Sequence, residues 1–204
     1  MSRCYNFIGT EKHGQYIACL PDNSPINPKL VSWEVAKLLA KNRNFPCELV
    51  LKPFKDKYKD YPAEWHDYMY NQYAFFMVSE RLKNFLEERR TEDDSFEWIN
   101  VKVRHEDIVK DYYIIVFPKL LDVVDKKNTS YYLEGTTILI QCFAYEKIEK
   151  FSVFPLNRNN DSLCFPSLLY TTEKIKKEIQ KEKFSNLKFE KCKTSVNGVV
   201  ENKK

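Results

Sequence analysis

The segment MVSERLKNFLEE, Met77–Glu88, returns later in the chain as LYTTEKIKKEIQ, Leu169–Gln180. Ser79-Glu80-Arg81-Leu82-Lys83 aligns with Thr172-Glu173-Lys174-Ile175-Lys176, and Leu86 then falls on Ile179. In the first copy the apolar run Ala74–Val78 has the length of a strand. Ser79 follows it as a helix cap, because its hydroxyl can accept a bond from an unpaired N–H of the first turn. Glu80 puts negative charge at the positive end of the helix. Leu82, Phe85 and Leu86 form one apolar stripe at helical spacing. After the polar break TEDDS comes FEWINVKV, with Phe96 and Trp98 on one side and Ile99, Val101 and Val103 on the other. The second copy has the same grammar: Leu168–Tyr170 as strand, Thr172 as cap, Ile175 and Ile179 as stripe, Leu187–Phe189 as returning strand. A chain that writes strand, capped helix, strand twice is constrained to bury helix stripes on sheet. The spacing predicts an α+β fold: a mixed, mainly antiparallel sheet with a few packed helices, both units covering one sheet.

With 204 residues and 43% apolar composition, one domain with a real core is expected. Four glycines, Gly9, Gly14, Gly135 and Gly198, are few for a fold built on many positive-φ turns. The formal charge of +4 is uneven. Residues 173–204 hold ten Lys against five Glu, a net of +5, which leaves −1 for the rest of the chain. This reads as a solvated helix and tail more readily than as a nucleic-acid face. The six cysteines include no C-x-x-C and no zinc-finger spacing to His. Residues 1–20 lack an apolar signal-peptide core, and no apolar run reaches the ~20 residues that span a bilayer. A cytoplasmic protein with free thiols and no membrane contact is expected.

Along the chain, Tyr5–Ile8 and Gln15–Cys19 predict a hairpin, and Leu30–Lys41 a helix. Residues 52–73 have no clean period and predict an irregular connection. Its aromatics, Phe54, Tyr58, Tyr61, Trp65 and Tyr68, either form a satellite cluster under the loop or supply a binding surface. Residues 111–118, 130–133, 136–143 and 150–153 are further strand runs. The expected organisation is residues 1–73 packed on a main body of 74–192, with 193–204 as a flexible tail.

No glycine cluster can cradle a phosphate, which excludes the P-loop and the dinucleotide fingerprint. His13, His66 and His105 form no ligand motif and are expected in exposed loops. The carboxylates Glu92, Asp93 and Asp94 lie in a polar loop without the apolar surroundings that would raise a pKa. Their one functional use is electrostatic docking of a basic partner. No cofactor, no metal and no catalytic residue is predicted.

The segments FMVSERLKNFLE, FEWINVKV, DYYIIVF, LLDVVDKKNTSYY, KIEKFSVFPL, SLLYTTEKIKKEIQ and LKFEK resemble bacterial immunity proteins of polymorphic toxin systems. The resemblance covers residues 76–192 and is to immunity protein family eleven, with family forty-three related. Thr172 stands where that pattern more often has Ser, and Asn186 where Gly often precedes the final strand. The resemblance implies a cytoplasmic protein that binds and neutralises a cognate toxin domain by protein–protein contact, without catalysis. Interface cores favour aromatics, so Phe54, Tyr58, Tyr61, Trp65 and Tyr68 are the first candidate surface and Glu92, Asp93 and Asp94 the second. The alternative is a nucleic-acid-associated defence or regulatory protein that binds through Lys174, Lys176, Lys177 and Lys181. An enzyme built from His66, His105 and a cysteine is the third and least supported reading.

Overall fold

The computed structural model describes residues 3–10, 16–27, 32–45, 47–119, 121–132, 138–156 and 165–201. The first elements are β1 (Cys4–Ile8), β2 (Tyr16–Cys19), α1 (Ser32–Asn42), β3 (Leu49–Pro53), β4 (Tyr68–Met69), β5 (Met77–Ser79) and α2 (Glu80–Glu87). The hairpin β6 (Glu97–His105) and β7 (Ile108–Val116) follows, then β8 (Ser130–Tyr131), β9 (Ile138–Ile140), β10 (Phe143–Ala144) and α3 (Tyr145–Ile148). The chain continues through β11 (Val153–Pro155), β12 (Leu169–Thr172), α4 (Glu173–Glu182), β13 (Lys188–Lys191), β14 (Thr194–Val196) and β15 (Val199–Val200). The fold is α+β.

The largest sheet has six strands in the order β2-β3-β6-β7-β5-β4. It closes on itself. Ala18 N–H donates to Tyr70 O at 2.8 Å, and Gln72 N–H donates to Ala18 O at 3.0 Å, so the chain beyond β4 meets β2. Alternate residues point inward and make one core: Tyr16, Ala18, Leu49, Leu51, Ile99, Val101, Val103, Tyr112, Ile114 and Met77. Val35 and Leu39 bring α1 against it. The alternation read in FEWINVKV is therefore the inside and outside of a small barrel.

The second sheet, β11-β12-β1-β13, is antiparallel throughout. Here lies the meaning of the repeat. In the first copy β5 and β6 both pair antiparallel with β7, which sits between them. In the second, β12 and β13 both pair antiparallel with β1, which sits between them. Each copy is thus a split strand–helix–strand unit with one opposed strand in the gap. The next strands out match as well, β4 on β5 and β11 on β12. Side chains repeat too. Lys83 Nζ lies 4.7 Å over the Tyr113 ring, and Lys176 Nζ lies 3.8 Å over the Tyr5 ring. Only the source of the middle strand differs: β7 follows its unit, whereas β1 comes from the start of the chain.

The two units occupy two sheets, where one shared sheet was expected, and they share a core. Leu82, Phe85 and Leu86 of α2 and Ile175 and Ile179 of α4 pack with Phe7, Phe76, Phe96, Ile115 and Phe117. Ser79 caps α2 through its Oγ, which accepts from Leu82 N–H at 3.2 Å; Thr172 takes the cap position of α4 without a side-chain bond. Arg89 Nε donates to Glu178 at 2.7 Å between the two helices. Asp67 ties the units together. It accepts from Ser79 Oγ at 2.7 Å, from Arg81 at 3.2 Å and from the Ser185 N–H at 2.8 Å.

Three further expectations change. β1 and β2 do not form a hairpin with each other; they enter different sheets, because β1 is buried as a middle strand. Residues 194–200, expected in a loose tail, carry β14 and β15, and β14 pairs parallel with β10. Ser195 is buried and donates from Oγ to Asp125 at 2.6 Å, a polar anchor that apolar periodicity does not register. His66, expected in an exposed loop, is buried, with Nε2 3.3 Å from Glu64.

Candidate functional site

β3 runs parallel to β6, with Leu49 opposite Val103 and Val50 opposite Arg104. The chain after Pro53 therefore leaves at the barrel end where β6 turns into β7. There Phe54 and Tyr61 are exposed, and the Tyr58 and Tyr61 rings meet edge to face at 6.2 Å. Tyr16 Oη donates to Tyr61 O at 2.9 Å, and its ring stands edge-on to His105 at 5.6 Å. His105 pairs with Ile108, which is exposed at the hairpin tip. Trp65 stacks on Tyr112 at 6.2 Å, and Lys110 Nζ sits 4.7 Å over the indole. Lys57 Nζ lies 4.8 Å over Tyr58. The result is an aromatic end rimmed by ammonium groups, each stabilised on a ring face. Tyr112 Oη donates to His66 O at 2.9 Å, and burial, with help from the Asp67 charge, raises its pKa.

Phe54, Tyr58, Tyr61 and Trp65 are thus brought to one end. Tyr68 is not with them. Its ring lies 5.0 Å from Phe76 in the shared core, and burial pushes its pKa up to about 12. Glu92, Asp93 and Asp94 lie before β6, at the other end of that nine-residue strand, roughly 30 Å away at ~3.3 Å per residue. Asp94 accepts from Ser152 Oγ at 2.6 Å and from Thr91 N–H at 2.9 Å, so it fixes the loop to the start of β11. Asp93 pairs with Lys150 at 2.8 Å. Glu92 is exposed and has no ion pair among the described residues. The two candidate surfaces therefore cannot belong to one small contact patch.

Sequence reading missed Ile108 and Tyr16. The strand run expected over residues 111–118 begins earlier in the structure, since β7 starts at Ile108, directly after the turn Glu106-Asp107. The available signal was two alternating runs flanking an acidic pair.

The other chemistry has structural uses. Burial raises the thiol pKa of Cys4, Cys19, Cys47 and Cys142, the opposite of what a nucleophile needs. Lys176, one of four lysines of the nucleic-acid reading, is 3.6 Å from Glu173 as well as over Tyr5. Glu173, Glu178 and Glu182 interleave the α4 lysines. Among the described residues no three His, Cys, Asp or Glu side chains meet as metal ligands would, and no helix is long and apolar enough to cross a membrane.

The description that fits the whole pattern comes from comparison with known families: the Immunity protein family (Imm11) matches residues 39–194. The chain belongs to the Imm11 family. The match starts inside α1 and ends in β14, so it includes the barrel end, the 91–95 loop and both repeated units. It reaches further toward the N-terminus than the segments that carried the resemblance. β1 and β2 precede the matched range, yet each completes a sheet of this Imm11 member. No curated protein matches the chain.

Proposed function

We propose that this chain binds a cognate bacterial toxin domain in the cytoplasm of the producing cell and neutralises it by direct contact, without catalysis. Membership of the Imm11 family over residues 39–194 carries this reading. The docking surface we assign is the aromatic barrel end: Phe54, Tyr58, Tyr61 and Trp65, with Ile108 beside them. Phe54 and Tyr61 are exposed, Tyr58 and Trp65 half-buried, and rings held by a rigid barrel lose little side-chain entropy on binding, which suits hot-spot residues. The lysines around them favour a partner with an acidic rim.

Co-expression with the toxin encoded beside this chain tests the reading by growth rescue and pull-down. Rescue with a stable complex is expected. Phe54→Ala with Tyr61→Ala is expected to weaken binding about 10–100-fold, as loss of two interface aromatics does. A toxin that kills at the same rate with and without the protein, and forms no complex, overturns the reading.

A further inference from the structure

β8 and β9 form a two-stranded ribbon that joins none of the other sheets among the described residues. β9 reads Ile-Leu-Ile, and successive side chains of a strand point to opposite faces. Leu139 and Ile140 are both 58% exposed, so neither face of β9 is covered. Tyr132, next to β8, is 57% exposed. Val199, 71% exposed, stands on the neighbouring β14–β15 hairpin, which is fastened to the ribbon's root by Asn128 Nδ2 donating to Gly198 O at 2.9 Å. A run with apolar groups on both faces is the pattern of an interior strand. Here, among the described residues, it forms an edge, kept to three residues and with an irregular register against β8. The sequence TTILIQ, 136–141, contains no charge, no proline and no glycine.

We infer that β9 is a self-association edge: a second copy of this chain adds its own β9 antiparallel about a two-fold axis, giving the order β8-β9-β9-β8 across the pair. Three observations select a second copy over another occupant. A two-fold contact must be complementary to itself, and an uncharged strand meets that condition without like-charge conflict. A ribbon of two short strands is marginal alone, and four strands with an apolar face are stable. The ribbon also follows the far end of β7, through Val124, which bridges to Phe143. It therefore lies away from the hairpin tip at Ile108, and pairing there leaves both aromatic ends open. Tyr132, Leu139, Ile140 and Val199 expose roughly 450 Å² per copy, so a contact covering all four would bury about 900 Å² in all, just under the floor of about 1,000 Å² for a specific interface. The pair is accordingly weak, and its population depends on concentration.

Sedimentation velocity of the full chain across the micromolar range tests this, with Leu139→Lys and Ile140→Lys as separate variants. The wild type is expected to pass from monomer to dimer as concentration rises. Each variant is expected to need at least tenfold more protein, with an unchanged melting temperature, since both side chains lie outside the core. A wild type that stays monomeric throughout overturns the inference. So does a dimer that both variants form as readily as the wild type.

Discussion

Asp125 holds a turn together with one carboxylate. It accepts from Ser195 Oγ at 2.6 Å, from Asn128 Nδ2 at 2.6 Å and from the N–H of Lys127 at 3.0 Å. The Ser195 and Asn128 bonds hold its pKa below the usual carboxylate range. A folded-state pKa below the unfolded value of about 3.9 stabilises the fold above that value, and the stabilisation is lost as pH falls through the lowered folded pKa. Asp125→Asn should therefore be less stable than wild type at pH 7 by about 1 kcal/mol, a modest figure because the site is partly solvated. The deficit should shrink below about pH 4. Urea unfolding at pH 7 and pH 3 checks this, and an equal deficit at both would show that the charge plays no part. Asn186 shows a second single-residue device. Its φ is +57°, a conformation that favours Gly, and its side chain repays the conformation by donating to Tyr68 O at 2.9 Å and accepting from Thr10 N–H at 3.0 Å. Arg43, Ala74, Glu106, Lys183 and Asn197 also stand at positive φ. Scarce glycine thus did not exclude turns; it moved them onto other residues at about 1 kcal/mol each.

At the scale of elements, the repeated units were legible because their information is local. A strand run, a capping hydroxyl and a 3.6-residue stripe all fall within about fifteen residues. Leu82 and Ile175 occupy equivalent helix positions and are both buried in the shared core. Leu82→Asp or Ile175→Asp places an unpaired charge there, and each should cost more than about 4 kcal/mol. Loss of the cooperative thermal transition in both variants is the expected result; a normal transition in either would put that helix face outside the core. What the sequence concealed is non-local. Nothing near Tyr5–Ile8 states that its neighbours are β12 and β13, more than 160 positions away. Hence the false β1–β2 hairpin and the single sheet assigned to two units. The candidate site followed the same division. Phe54 to Trp65 could be picked out as an aromatic stretch, but Tyr16 joins it only through the pairing of β2 with β3, and Ile108 only through the parallel pairing of β3 with β6. β9 was readable as a strand, whereas its exposure on both faces depends on what fails to pack over it.

The whole molecule is two similar units wired unequally, and the wiring sets its cooperativity. In the first unit the middle strand follows directly by the β6–β7 turn, so the unit can assemble from neighbouring chain. In the second, the middle strand is β1, and it must return from the start of the chain to lie between β12 and β13. Without it β13 has no partner in that sheet, and α4 loses the surface that Phe7 contributes to its core. Pairing across so long a sequence separation is slow and entropically costly, and it is repaid only once the shared core closes. A main body of residues 74–192 taken alone lacks β1, β2, β3 and β4, so it keeps neither sheet whole. Deletion of residues 1–8 should therefore abolish the cooperative transition of the entire chain, and adding the β1 peptide in trans should restore part of it. Thermal unfolding followed by circular dichroism, with and without the peptide, makes the comparison. If the truncated chain melted as sharply as the full one, the second sheet would be an appendage. If only the peptide-bound form melts cooperatively, the two units stand or fall together through the core they share.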